Sequence, residues 1–260
     1  MTASQTIWKA YNCIFMMLAS LTFMLNPALS QNHSVQSKDV SALNTLYAKE
    51  WVVLLHGLVR TKSSMSTMET HLKQAGYNVV NQGYPSQHIA IEELANTYLP
   101  KAIQICQQHQ AHKIHFVTHS MGGILVRYYL KHNPLKELGH VVMLSPPNQG
   151  SEVVDVFKSF WGFKWLNGPA GQQLGTSLDS LPNSLGKVNF KLGVITGDQS
   201  INWILSCFIP GPDDGKVSVE RAQVDGMADF RVIHATHPYI MKNAHAIELT
   251  LHFLKNGVFY

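Results

Sequence analysis

Lys113-Ile114-His115-Phe116-Val117-Thr118-His119-Ser120-Met121-Gly122-Gly123 is the stretch on which the fold turns. An apolar run of strand character passes into a tight turn, the turn carries one serine, and a helix begins at once. The turn is too sharp for bulky neighbours, so Gly122 follows the serine by two positions. The serine is lifted above the strand end, and the N-terminus of the next helix lies beneath it, where its dipole favours developing negative charge. This is the arrangement of a nucleophile elbow. It departs from G-x-S-x-G at the first position, where Thr118 requires the turn to accept a β-branched residue.

Other apolar runs punctuate the chain on either side of this stretch. Trp51 to Leu55 is continuous, as expected of a parallel strand covered on both faces, and it ends at His56-Gly57-Leu58. Further strands are expected at Tyr77–Asn81, His140–Leu144, Phe190–Thr196 and Phe230–Ile233. Between them lie helical spacings at 63–75, 89–109, 121–132 and 239–255, with Pro100 expected to kink or break the second. Strands alternating with helices predict an α/β fold. Its sheet should be doubly wound and mostly parallel, with about six strands, helices on both faces and no room for an N-terminal antiparallel pair.

One segment fits the alternation poorly. Residues 152–187 hold Phe157, Phe160, Trp161, Phe163, Trp165 and Leu166, followed by Gly168-Pro169-Ala170-Gly171. The segment reads as a short cap or lid over a site, with Phe157, Trp161 and Trp165 as substrate-binding candidates, or as a core-facing helix plus loop.

The chain has 260 residues and a net charge of +4, with its basic residues scattered. That suits one domain with a substantial core and gives no Lys/Arg stripe for nucleic acid. Residues 1–30 carry a basic start at Lys9, an apolar run from Cys13 to Leu25 and small residues at Ala28-Leu29-Ser30. They predict a secretory signal peptide cleaved after Ser30, placing the protein in the periplasm or outside the cell; the rival is an uncleaved membrane anchor. A polar tether is expected over 31–48 and the main domain over 49–260. Removing Cys13 leaves Cys106 and Cys207, either as a disulfide or as two buried thiols.

A serine hydroxyl needs a histidine to take its proton and a carboxylate to orient that histidine. The acid should follow a late strand. Asp214, in Asp214-Gly215-Lys216-Val217, is favoured over Asp213, with Asp198 a more distant rival. The histidine should follow the last strand. His237, in the loop before the final helix, is favoured over His234, which continues the strand and is expected to point into the structure. Backbone N–H groups of Leu58 and Met121 are the candidate oxyanion donors, and His56 is expected to be a structural loop residue. His115 and His119 are four apart in a strand, not on a helix face, so no zinc site is expected. No cofactor is expected either.

These pieces resemble the lipase and esterase branch of the α/β-hydrolase superfamily: Leu54-Leu55-His56-Gly57-Leu58, His119-Ser120-Met121-Gly122-Gly123, Asp214-Gly215-Lys216-Val217 and the late His237. Pro147-Asn148-Gln149-Gly150-Ser151 is similar to the segment after the same strand in bacterial triacylglycerol lipases. The departures are Thr118 and the short sheet. The resemblance implies hydrolysis of carboxylic esters through an acyl-enzyme. The aromatic segment at 157–166 adds an expected apolar acyl group. A membrane or lipid surface is a further candidate partner, and nucleic acid is not. An acyltransferase or thioesterase with the same three residues, and a non-catalytic binding protein on this fold, are the alternatives.

Overall fold

The computed structural model describes residues 50–260, so the expected signal peptide and tether lie outside the described residues. Six strands form one sheet: β1 (Glu50–Leu55), β2 (Asn78–Gln82), β3 (Lys113–His119), β4 (Leu138–Leu144), β5 (Leu192–Gly197) and β6 (Asp229–Ile233). Their order is β2-β1-β3-β4-β5-β6, and every pairing is parallel. The chain winds one way from β1 to β2 and the other way from β3 onward. The switch point therefore lies between the carboxyl ends of β1 and β3, where open α/β sheets hold their ligands.

The continuous apolar runs are explained by two cores, one on each face. Alternate residues of β1 separate cleanly: Val53 and Leu55 pack with Phe116 and Met143 under α2 (Ile91–Gln108) and α3 (Met121–His132). Val52 and Leu54 pack with Val117 and Val142 under α1 (Ser66–Gln74) and the closing helix, Ala244–Asn256. All four β1 side chains are fully buried, each worth about 1.5–3 kcal/mol.

Two helices differ from expectation. Pro100 neither breaks nor ends α2, which is continuous from Ile91 to Gln108. The missing N–H strands only the carbonyl four residues back, at Asn96, which is solvent-exposed. The closing helix begins at Ala244 rather than near 239, because the Asn243 side chain caps it by accepting from the N–H groups of His245 and Ala246.

Between β4 and β5 stand α4 (Glu152–Phe157), α5 (Trp161–Gln172), bent where Gly168 leaves helical angles, and α6 (Leu181–Ser184). Between β5 and β6 a second insertion carries the short α7 (Trp203–Ser206), which the sequence pattern did not reveal. Phe157 and Phe208 meet edge to face, with centroids 5.7 Å apart, and so join the two insertions. The closing helix is α8. Cys106 is a free thiol buried in α2, where burial pushes its pKa up to about 12, and Cys207 is free and exposed; neither the disulfide nor the pair of buried thiols is found.

Candidate active site

β3 delivers Ser120 at the switch point. Its backbone has φ 53° and ψ −125°, a left-handed conformation that a non-glycine residue adopts only where its surroundings enforce it. The enforcement is visible: the Ser120 N–H donates to the Leu144 carbonyl at 2.9 Å, and α3 begins at the next residue. A Cβ on Gly122 would lie 2.8 Å from the Leu55 carbonyl oxygen and 2.9 Å from that of His56. Only glycine lets α3 start this close to the end of β1. Gly57 has the same role on the facing loop, where a Cβ would lie 2.9 Å from His119 Nδ1. Thr118 fits because its side chain is fully buried within the strand end, although its hydroxyl finds no partner among the described residues.

β5 and β6 supply the other two groups. The Ser120 hydroxyl lies 3.0 Å from His237 Nε2, and His237 Nδ1 lies 2.8 Å from Asp214 Oδ2. The partners assign the tautomer: Nδ1 carries the proton that the carboxylate accepts, leaving Nε2 to receive one from Ser120. Asp214 is fully buried. Burial alone would raise its pKa, but the His237 charge and hydrogen bond, together with the Val217 N–H, hold it below the usual carboxylate range. Its Oδ1 accepts from the N–H groups of Lys216 and Val217, both at 3.0 Å. The His237 N–H also donates to the Asp214 carbonyl at 2.9 Å, tying the two loops together.

The rivals are occupied elsewhere. Asp213 Oδ1 accepts from the Gly215 N–H at 2.7 Å and the Ser206 hydroxyl at 2.8 Å, so it holds the turn and the end of α7. Asp198 and His234 pair with each other at 2.8 Å on the surface. The His234 side chain is 82% exposed and does not point into the structure, because Ile233 ends the strand on its buried face.

His119, weighed from the sequence only as a zinc ligand, also touches the site. Its Nε2 donates to the His237 carbonyl at 2.9 Å, and the two rings stand 4.9 Å apart. Burial, then the neighbouring His237 charge, holds its pKa well below the ordinary imidazole value. It remains a neutral prop beneath the His237 loop. His56 is likewise buried and structural, stacked on Tyr84 at 4.0 Å and accepting a hydrogen bond from the Tyr84 hydroxyl at its carbonyl.

Ser120 and His237 open into a cavity of about 200 Å³. Its apolar wall is formed by Leu58, Val153, Val154, Leu174, Leu205 and Val217. Leu58 is on the β1 loop and Met121 opens α3; neither N–H is taken by a backbone carbonyl among the described residues. Phe157, Trp161 and Trp165 do not line this cavity. They form a separate, outward-facing apolar hollow with Phe160 and Leu166, and Trp161 and Trp165 are 76% and 80% exposed.

No protein-family model matches the chain, and no curated protein matches its sequence. Solved structures do resemble it. The mature form of lipase BlEst2 from Bacillus licheniformis superposes with a TM-score of 0.61 at 20% identity, covering 80% of this chain and 92% of that one. Lipase B of Aspergillus fumigatus gives 0.60 at 16% identity, over 80% of this chain and 53% of its own. An extracellular α/β-hydrolase from a Paenibacillus species gives 0.51 at 14% identity, over 78% and 97%. With its six parallel strands, two-sided helix layers and serine turn at the switch point, the chain has the α/β-hydrolase fold.

Proposed function

We propose that this protein is a serine hydrolase that cleaves carboxylic esters through an acyl-enzyme. The observation that carries the reading is the unbroken chain from buried Asp214 through His237 to Ser120 at the floor of a cavity. In the first half, Ser120 Oγ attacks the ester carbonyl and His237 Nε2 takes its proton. The oxyanion is met by the N–H groups of Met121 and Leu58. The tetrahedral intermediate collapses, the alkoxy C–O bond breaks, and His237 gives its proton to the leaving alcohol. In the second half, water attacks the acyl-enzyme with His237 again as base, and the carboxylic acid and free serine are released. Asp214 stays ionised throughout and stabilises the imidazolium.

The apolar cavity wall supports an apolar acyl group, and equal turnover of acetyl and longer esters would remove that part of the reading. The hydrolase itself is tested by exposing the protein to a fluorophosphonate and locating the adduct by mass spectrometry. One adduct on Ser120, absent from Ser120→Ala and His237→Ala, is expected. An unmodified Ser120 in folded protein would overturn the reading in favour of a binding protein.

A further inference from the structure

Two cations line the Ser120 cavity with no ion-pair partner among the described residues. Arg60 follows the β1 loop that carries Leu58, and Lys216 is the second residue after Asp214. Both line the cavity and both are solvent-exposed. Among the described residues neither side chain makes an ion pair or a hydrogen bond. Lys73, Lys113, Lys158, Arg221 and Arg231 do each hold an acidic partner at 3.3 Å or less; what sets Arg60 and Lys216 apart from the other unpaired cations is that both line the one cavity that holds Ser120.

The cavity offers only partial internal relief. Asp214 is its one lining carboxylate; it is fully buried, and its oxygens are already committed to His237 and two backbone N–H groups. The two cations are close enough to affect their surroundings. Partial burial first, then the Arg60 charge, lowers the pKa of the Lys216 ammonium, and Asp214 only partly offsets this. Like charges facing one concave, partly desolvated surface repel, and an anion between them removes that repulsion. A guanidinium fork beside an ammonium suits the oxygens of a phosphate or carboxylate. The same cavity is also lined by Val153, Val154 and Leu174, so it offers two cations and an apolar surface together with Ser120.

We infer that the ester taken by the Ser120 site is anionic, with a phosphate or carboxylate held by Arg60 and Lys216 while its carbonyl lies at Ser120. This rests on the serine-hydrolase reading above.

Two matched substrate pairs test it. One pair is 4-nitrophenyl hemiglutarate against 4-nitrophenyl butyrate, which places a carboxylate on the acyl side. The other is dihexanoyl phosphatidylglycerol against dihexanoyl phosphatidylcholine, which places net charge at a lipid headgroup. In at least one pair, kcat/KM for the anionic member should exceed that of its mate by about tenfold or more at low salt. In the Arg60→Gln/Lys216→Gln double variant the ratio should fall to within about twofold. A ratio confined to the lipid pair identifies a headgroup phosphate, and one confined to the soluble pair identifies a free carboxylate. Ratios near one in both pairs, or a ratio that survives in the double variant, overturn the inference.

Binding supplies a readout that needs no turnover. Ser120→Ala should bind a non-hydrolysable diether phosphatidylglycerol, or glutarate, about tenfold more tightly than diether phosphatidylcholine or butyramide, respectively. Equal affinities in both comparisons count against the inference. Anion binding without fluorophosphonate labelling would sink the hydrolase reading and leave the anion site standing. Labelling without anion preference would do the reverse.

Discussion

Two aspartate–histidine pairs sit at the same end of the sheet, at the same separation. Asp214 and His237 are 2.8 Å apart, and so are Asp198 and His234. The first pair is sealed, with side-chain exposures of 0% and 5%; the second lies open at 24% and 82%. Only the first has a third partner, the Ser120 hydroxyl, and only its acid is held by two backbone N–H groups. Distance alone therefore does not distinguish a sealed pair linked to a hydroxyl from a surface contact. Exclusion of water, a fixed tautomer and a hydroxyl in reach do.

The sharpest way to break this contrast is to blunt each acid in turn. Asp214→Asn should lower ester turnover by about 10⁴-fold, because the amide no longer selects the Nδ1–H tautomer. Asp198→Asn should leave turnover within about twofold, and parallel kinetics on one soluble ester checks both. A stability comparison comes next. Asp214→Ala removes the acceptor for three donors, two of them in buried hydrogen bonds, and should cost about 3 kcal/mol or more in urea unfolding, whereas Asp198→Ala should cost about 0–1 kcal/mol.

The buried side should also carry the stronger pH response. His119 is held neutral in the folded protein, while the unfolded chain takes up a proton as pH falls below about 6.5. The folded state then binds fewer protons, so stability is complete above that value and declines below it, by up to about 1.4 kcal/mol per pH unit. Asp214 acts with the same sign in a lower window. Its contribution is complete above the ordinary carboxylate range and is lost as pH falls through its depressed folded value. Urea midpoints from pH 8 to pH 5 should fall for the wild type and fall less for His119→Gln. The smallest effect is expected outside the cavity. Trp161→Ala and Trp165→Ala should change kcat/KM on a soluble short-chain ester by no more than about twofold.

Much of this arrangement is legible in the sequence, for identifiable reasons. Strands covered on both faces leave unbroken apolar runs, so β1, β3 and β4 stand out. The order of serine, acid and histidine along the chain singles out Ser120, Asp214 and His237, which the fold brings into hydrogen-bond contact. Orientation is harder to read. An aromatic segment declares that it is apolar but not which way it faces, and Trp161 and Trp165 turn outward. His234 and His237 differ by three residues in a loop, where no periodicity tells a sealed ring from an exposed one. Arg60 and Lys216 look like ordinary surface charges until the fold sets them in the lining of one cavity. Their placement beside His56-Gly57-Leu58 and Asp214 was the available signal.

The outward-turned aromatics also set the protein's optical behaviour. Of five tryptophans, Trp161, Trp165 and Trp203 lie in the two insertions beside the cavity, and each is at least 74% exposed. Trp51 is the only other one among the described residues, at the start of β1. Intrinsic emission from this protein is therefore dominated by indoles already in water. It should barely shift when the two cores melt, yet respond when anything settles on the insertions, making fluorescence a poor thermometer of folding and a direct reporter of the cavity's surroundings.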